Sequence, residues 1–249
     1  MGKCIGPRHM SLDQHDGFYV ESIVSLTLWL NCIKHRTLRW FMSVELLEVF
    51  GSDLTVVNAA RVSFNKESHE MSLQDEKLIK YLAEHQHNSP FFHPQLQFRI
   101  QMPIFVAREW FRHTIGFARN EVSRRYVDSP PEIWVPTEFR QRDPKVKQGS
   151  KSESVEKNEE AGQLYRQTVD TSVTAYHKLM DLGVAPEMAR SVLPLGLYTE
   201  FIETGSLAAY ARLCKLRLDP SAQKEIQDYA QKVHDLILEK FPISWKYLM

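Results

Sequence analysis

Residues 95–126 read QLQFRIQMPIFVAREWFRHTIGFARNEVSRRY, and the fold is decided by how this stretch is read. Its first eight residues alternate polar and apolar side chains, placing Leu96, Phe98, Ile100 and Met102 on one face. Such alternation predicts a half-buried antiparallel strand. Pro103 then suits the first turn of a helix, with Ile104, Ala107, Trp110 and Phe111 at helical spacing and Gly116 as the expected stop. A strand feeding directly into this segment gives rigid support to whatever it carries. It carries Arg108, Arg112, His113, Arg119, Arg124 and Arg125, interleaved with Trp110, Phe111, Asn120, Glu121 and Ser123. A guanidinium fork matches the oxygens of a phosphate, so the cluster suits an anion. The plainer alternative is a solvated basic helix face, against which the two aromatic residues argue.

The whole chain has 249 residues and is 43% hydrophobic. That is enough for a substantial core in a single domain. It has 31 basic and 31 acidic residues, so an anion site must be local rather than a bulk field. A nucleic-acid binder using the arginine–aromatic helix remains an alternative class that zero net charge disfavours. Cys4, Cys32 and Cys214 are odd in number and far apart, which fits a reducing compartment and not a disulfide framework.

Residues 1–41 lack periodicity. Their apolar run SIVSLTLWLNC, residues 22–32, falls well short of the roughly 20 residues a membrane span needs. Lys34, His35 and Arg36 follow it where a signal peptide would have small residues at a cleavage site. The segment is read as an extension the domain at 42–249 does not need, with a membrane-surface anchor as the alternative.

Within 42–249, residues 44–50 have strand composition and 54–61 read as a short helix. Ser72 with Asp75 forms a capping box before a helix over 76–86. The sequence EHQHNSPFFHP follows. Its His85, His87 and His93, together with His113, allow a metal-hydrolase reading, although no HExxH occurs and no carboxylate stands at ligand spacing. Residues 141–158, charged and serine-rich, are expected to be a mobile surface loop. Ala161, Leu164, Tyr165, Val169, Ser172, Tyr176, Leu179 and Leu182 mark the buried stripe of a long helix. Pro186 opens a helical turn that sets Glu187 and Arg190 three apart, which in isolation is equally a surface salt bridge. A strand is expected over 197–203, then a helix over 207–216 capped by Ser206. Arg217 falls in the following turn, and Asp219-Pro220 is the expected start of the last helix. No βαβ repeat and no GxGxxG occurs, which points to an α+β fold with a mixed or antiparallel sheet flanked by helices.

Three blocks, residues 87–126, 184–204 and 212–229, resemble in order and spacing the flavin-dependent thymidylate synthases. The family signature is Arg-His-Arg, a spacer and Ser. This chain has Arg112-His113-Thr114, eight residues and Ser123, one residue longer than usual, and Glu109 stands where many members have Gln. His87-Asn88-Ser89-Pro90-Phe91, NAARVSF at 58–64 and Leu216-Arg217 with Ala222-Gln223 are also similar to family segments. The resemblance implies a homotetramer with active sites shared between subunits. It implies conversion of dUMP to dTMP with FAD, NADPH as reductant and methylenetetrahydrofolate as one-carbon donor, in the cytoplasm (a host's, if the chain is viral). By the same resemblance Glu109, Glu121, Ser123, Arg124, Arg125, Arg190 and Arg217 bind dUMP. Ser63, His87, Arg112, His113, Thr114, Glu121, Glu187 and Arg212 hold FAD. Arg217 is the catalytic candidate, because it can stabilise negative charge on a uracil carbonyl. Ser123 is read as a binding residue, since a nucleophilic serine needs an adjacent base and none is evident in the sequence. No metal, membrane or nucleic-acid polymer is implied.

Overall fold

A computed structural model describes residues 43–127, 129–144 and 149–249. The expectation for residues 1–41 therefore lies outside the described residues. The alternating stretch forms the strand β2, Gln95–Pro103, and Leu96, Phe98, Ile100 and Met102 are all buried on one face. It lies between β1, Ser43–Phe50, and β6, Tyr198–Ser206, both antiparallel to it. The fourth strand, β3, Phe117–Glu121, pairs with the far edge of β6, giving the order β1-β2-β6-β3. The sheet is wholly antiparallel, within the expected α+β class.

The buried face of β2 and β6 packs against helices through one continuous apolar cluster. These helices are α1 (Asp53–Arg61), α2 (Leu73–Glu84), α3 (Ile104–Trp110), α6 (Leu207–Arg217), α7 (Lys224–Lys240) and α8 (Pro242–Leu248). The opposite face keeps the polar half of the alternation, where Gln97 bonds Thr204 and Arg99 meets Glu45. Two buried carboxylates close the helical layer. Asp75 caps α2 as its sequence predicts and also takes the Arg61 fork at 2.5 Å. Asp53 accepts the Ile243 and Ser244 amides at 3.0 and 2.7 Å, so the first helix satisfies the open N-terminus of the last.

Several expectations need correction. The helix after Pro103 ends at Trp110, six residues before Gly116. Side chains from elsewhere take the carbonyls in and beyond its last turn: Arg217 Nη2 bonds the Glu109 carbonyl at 3.1 Å and Arg119 Nη1 the His113 carbonyl at 2.5 Å. Gly116, at φ +82°, instead turns the chain into β3, where an added Cβ would come within 3.0 Å of Ala209. Residues 141–158 are not a featureless loop. They contain most of the hairpin of β4, Arg140–Arg142, with β5, Ser150–Ser154, tied to α7 by an Arg140–Glu225 ion pair at 2.8 Å.

The long helix α4, Asn158–Asp181, buries Val169 and Tyr176, but Leu164 and Leu182 from the expected stripe stand 66% and 80% exposed. Among the described residues, nothing buries these two side chains. The turn after Pro186 forms as expected, as α5, Pro186–Ala189. Arg217 is the last residue of α6, not a turn residue. Asp219 bonds the Ser221 amide and hydroxyl in a tight turn, which delays the last long helix to Lys224.

Candidate active site

The site is built where α3 and its following turn meet the end of α6. Arg217 is held there on three sides. Its Nε donates to His113 Nε2 at 2.9 Å, Nη1 to the Glu109 carboxylate at 3.3 Å, and Nη2 to the Glu109 carbonyl. Because a guanidinium only donates, His113 Nε2 must be the bare nitrogen, and the ring proton rests on Nδ1. Burial pushes the His113 pKa down from 6.5 to about 4, and the guanidiniums of Arg217, Arg119, Arg212 and Arg112 push in the same direction.

The neutral ring is thus the folded form. Protonation opposes folding, so stability contributed here is present above pH 6.5 and is lost as pH falls towards 4. A histidine-selective NMR titration should place the His113 midpoint near 4, and Arg217→Met should raise it. A midpoint at 6.5 in the native protein would contradict this geometry.

Behind the histidine lies a buried ion pair. Glu203, on the inward face of β6, is 0% exposed and accepts Trp110 Nε1 at 3.2 Å and Arg119 Nε. Burial pushes its carboxyl pKa up, while Arg119 and Trp110 pull it back. The Arg119 guanidinium lies over the rings of Phe117 and Phe111, 4.7 and 5.4 Å from their centres. The sequence places Arg119 in the anion-holding cluster and gives Glu203 no role, whereas in the structure Arg119 turns inward to the Glu203 carboxylate and the His113 carbonyl. The available signal was period two along β6: Glu203 is in phase with Thr199, Phe201 and Gly205, so a carboxylate was due in the core.

Around this centre, Arg212 from α6 bonds the Ile115 carbonyl at 2.7 Å. Glu121, at the end of β3, accepts the Thr199 hydroxyl at 2.5 Å. In SRRY, Arg124 is engaged with the carbonyls of Ser129 and Pro130, whereas the Arg125 guanidinium lies 5.0 Å over the Tyr126 ring and, among the described residues, makes no side-chain hydrogen bond. Ser123 Oγ accepts the Arg125 amide at 3.4 Å.

Arg112, Arg190, Thr114, Glu187, Ser63 and His87 are all exposed. Among the described residues, no hydrogen bond joins their side chains to the Arg217 centre, and no ion pair joins Glu187 to Arg190. His87 lies in the turn before the Ser89–Phe92 3-10 segment, its ring edge-on to Tyr81 at 5.8 Å. Among the described residues no three His, Cys, Asp or Glu side chains gather as a metal site, so His85, His87, His93 and His113 do not form one cluster.

Comparison with known proteins gives the family. Residues 45–243 match the model of the thymidylate synthase complementing protein family. A flavin-dependent thymidylate synthase of Thermosipho melanesiensis is 40% identical over 204 residues, covering 82% of this chain and 88% of that one. The chain belongs to the flavin-dependent thymidylate synthase family. A second family member, from Thermus thermophilus, is 41% identical over 81% of this chain and 73% of its own length. Among solved structures, a UMP/dUMP methylase from Streptomyces cacaoi bound with 5-Br dUMP is similar at a TM-score of 0.76 and 29% identity. That match covers 83% of this chain and 94% of that one. The family match spans all the candidate residues from Ser63 to Arg217, including the turn with Thr114 and the extra spacer residue. No described helix is long and apolar enough to cross a membrane.

Proposed function

We infer that this chain converts dUMP to dTMP by flavin-dependent reductive methylation, with methylenetetrahydrofolate as one-carbon donor and NADPH as reductant. The observation that carries the reading is Arg217, fixed by a neutral histidine and a carboxylate at the edge of an arginine-rich turn. A guanidinium so fixed can donate to a pyrimidine carbonyl and stabilise negative charge on it, activating the ring without a protein nucleophile. Arg125 and Arg190 supply charge for the nucleotide phosphate, with the Ser123 hydroxyl and the Glu121 carboxylate completing the pocket, and Arg124 shapes its rim.

The residues also fit a flavin dinucleotide. Arg112 is an exposed guanidinium suited to a pyrophosphate, and Ser63, His87, Thr114 and Glu187 offer donors and acceptors on exposed turns. His113 and Arg212 border the same turn. When bound, reduced FAD supplies the hydride that completes the methyl group.

Large apolar side chains stand exposed beside these residues: Phe64 at 77%, Ile115 at 70%, Tyr126 at 75% and Met188 at 66%. Apolar surface interleaved with binding residues suits a site completed by a second copy, and Leu164 on α4 and Leu182 just past its end are exposed as well. The active species, by the family resemblance, is a homotetramer with shared sites, and these exposed apolar side chains are what its contacts would cover. Sedimentation should find activity only in the assembled species, and a fully active monomer would contradict it. The reading as a whole is tested by the visible spectrum of FAD-reconstituted protein under anaerobic conditions with dUMP. NADPH should bleach the flavin band, and a chain that binds no flavin would overturn the reading.

A further inference from the structure

A continuous line of hydrogen bonds leads from the core to the reactive arginine. It starts at the buried Glu203 carboxylate, passes through the Arg119 guanidinium to the His113 carbonyl, and continues from the His113 ring to Arg217. The backbone in that line is that of His113 itself, whose carbonyl takes Arg119 and whose ring takes Arg217. As a device for stability the pair is a poor choice. Glu203 sits opposite Phe98 in the sheet, with Phe111 and Phe117 beneath the guanidinium, and apolar residues at both positions would pack there without the cost of burying two charges. Trp110 is committed to the same carboxylate through its only polar atom. The pair thus grips both sides of His113: Glu203 holds Trp110 at the end of α3, and Arg119 holds the His113 carbonyl.

We propose that the Arg119–Glu203 pair positions Arg217, clamping the His113 main chain so that its ring holds the guanidinium in one orientation towards dUMP. This inference rests on the dUMP-methylating reading. Neither residue touches substrate. Both act through His113 and are positioning residues.

The test is a double-mutant cycle on dTMP formation, with Glu203→Gln introduced into the native chain and into His113→Ala. In the native background Glu203→Gln should lower kcat roughly 10- to 100-fold, the scale set by a small misplacement of a catalytic group. Bleaching of bound flavin by NADPH in the absence of dUMP should not change. In His113→Ala the same substitution should cost no more than about twofold, because the line to Arg217 is already broken.

A loss of the same size in both backgrounds would overturn the proposal, as would unchanged kcat in the native one. If Glu203→Gln does not fold, the paired replacement Arg119→Met with Glu203→Leu leaves no buried charge unmatched and carries the same comparison. Failure of both to fold would make the pair a core element and overturn the proposal. A native chain that forms no dTMP would overturn the functional reading as well. An active native chain with equal losses in the two backgrounds overturns this inference alone.

Discussion

Arg217→Ala should lower kcat/KM for dUMP by roughly 10²–10³-fold, the range seen when one preorganised donor to developing charge is removed. Ser123→Ala should cost under about tenfold, as expected for a single neutral hydrogen bond. The difference follows from what each side chain is tied to. Arg217 is held by His113 at 2.9 Å and twice by Glu109, so its orientation is fixed before substrate arrives. Its removal also leaves the Glu109 carboxylate and the bare His113 nitrogen without their donor. Ser123 Oγ accepts a long bond from the Arg125 amide, and among the described residues no histidine or carboxylate is bonded to it to draw off its proton. Steady-state assays of the two variants decide the point. Losses of equal size would remove Arg217 from its assigned role.

The largest expected loss of stability is that of Trp110→Ala. Trp110 is fully buried at the end of α3, and truncating a core tryptophan costs about 3–5 kcal/mol. The change also takes a hydrogen-bond donor from the fully buried Glu203 carboxylate. For a domain of this size about 2–4 °C is lost per kcal/mol, so melting should fall by roughly 10 °C. Trp110→Phe keeps most of the volume and loses only the indole N–H, so it should fall between the two. A drop under about 3 °C for the alanine variant would mean that the core closes over the gap.

The parts of the fold governed by local pattern were legible in the sequence. Leu96, Phe98, Ile100 and Met102 alternate without a break, and all four are buried. Ser72 and Asp75 form the capping box their spacing predicts. What stayed hidden depends on partners distant in sequence. The strand β3 reads FARNE, with little strand propensity, and exists because β6 offers it a free edge. The end of α3 at Trp110 is set by guanidiniums from β3 and α6, which no window around Gly116 contains. The β4–β5 hairpin is built of Arg, Gln, Ser, Lys and Glu, and a glutamate 85 residues away on α7 ties it to the fold.

The candidate site divides along the same line. The motif residues around Arg217 were readable one by one, whereas the Glu203–Arg119 support behind them needed the sheet register to bring residues 119 and 203 opposite one another. The exposed apolar residues of α4 were read as core because a helical stripe does not say whether its cover comes from the same chain or another.

The most direct test of the central claim is the identity of the folate product. The FAD-loaded protein would be given dUMP, methylenetetrahydrofolate and NADPH under anaerobic conditions, and dTMP and folates measured together. If the completing hydride comes from the flavin, the folate gives up only its one-carbon unit, so dTMP and tetrahydrofolate should appear in equal amounts as NADPH is consumed. Dihydrofolate formed in step with dTMP would place the hydride on the folate and contradict the account.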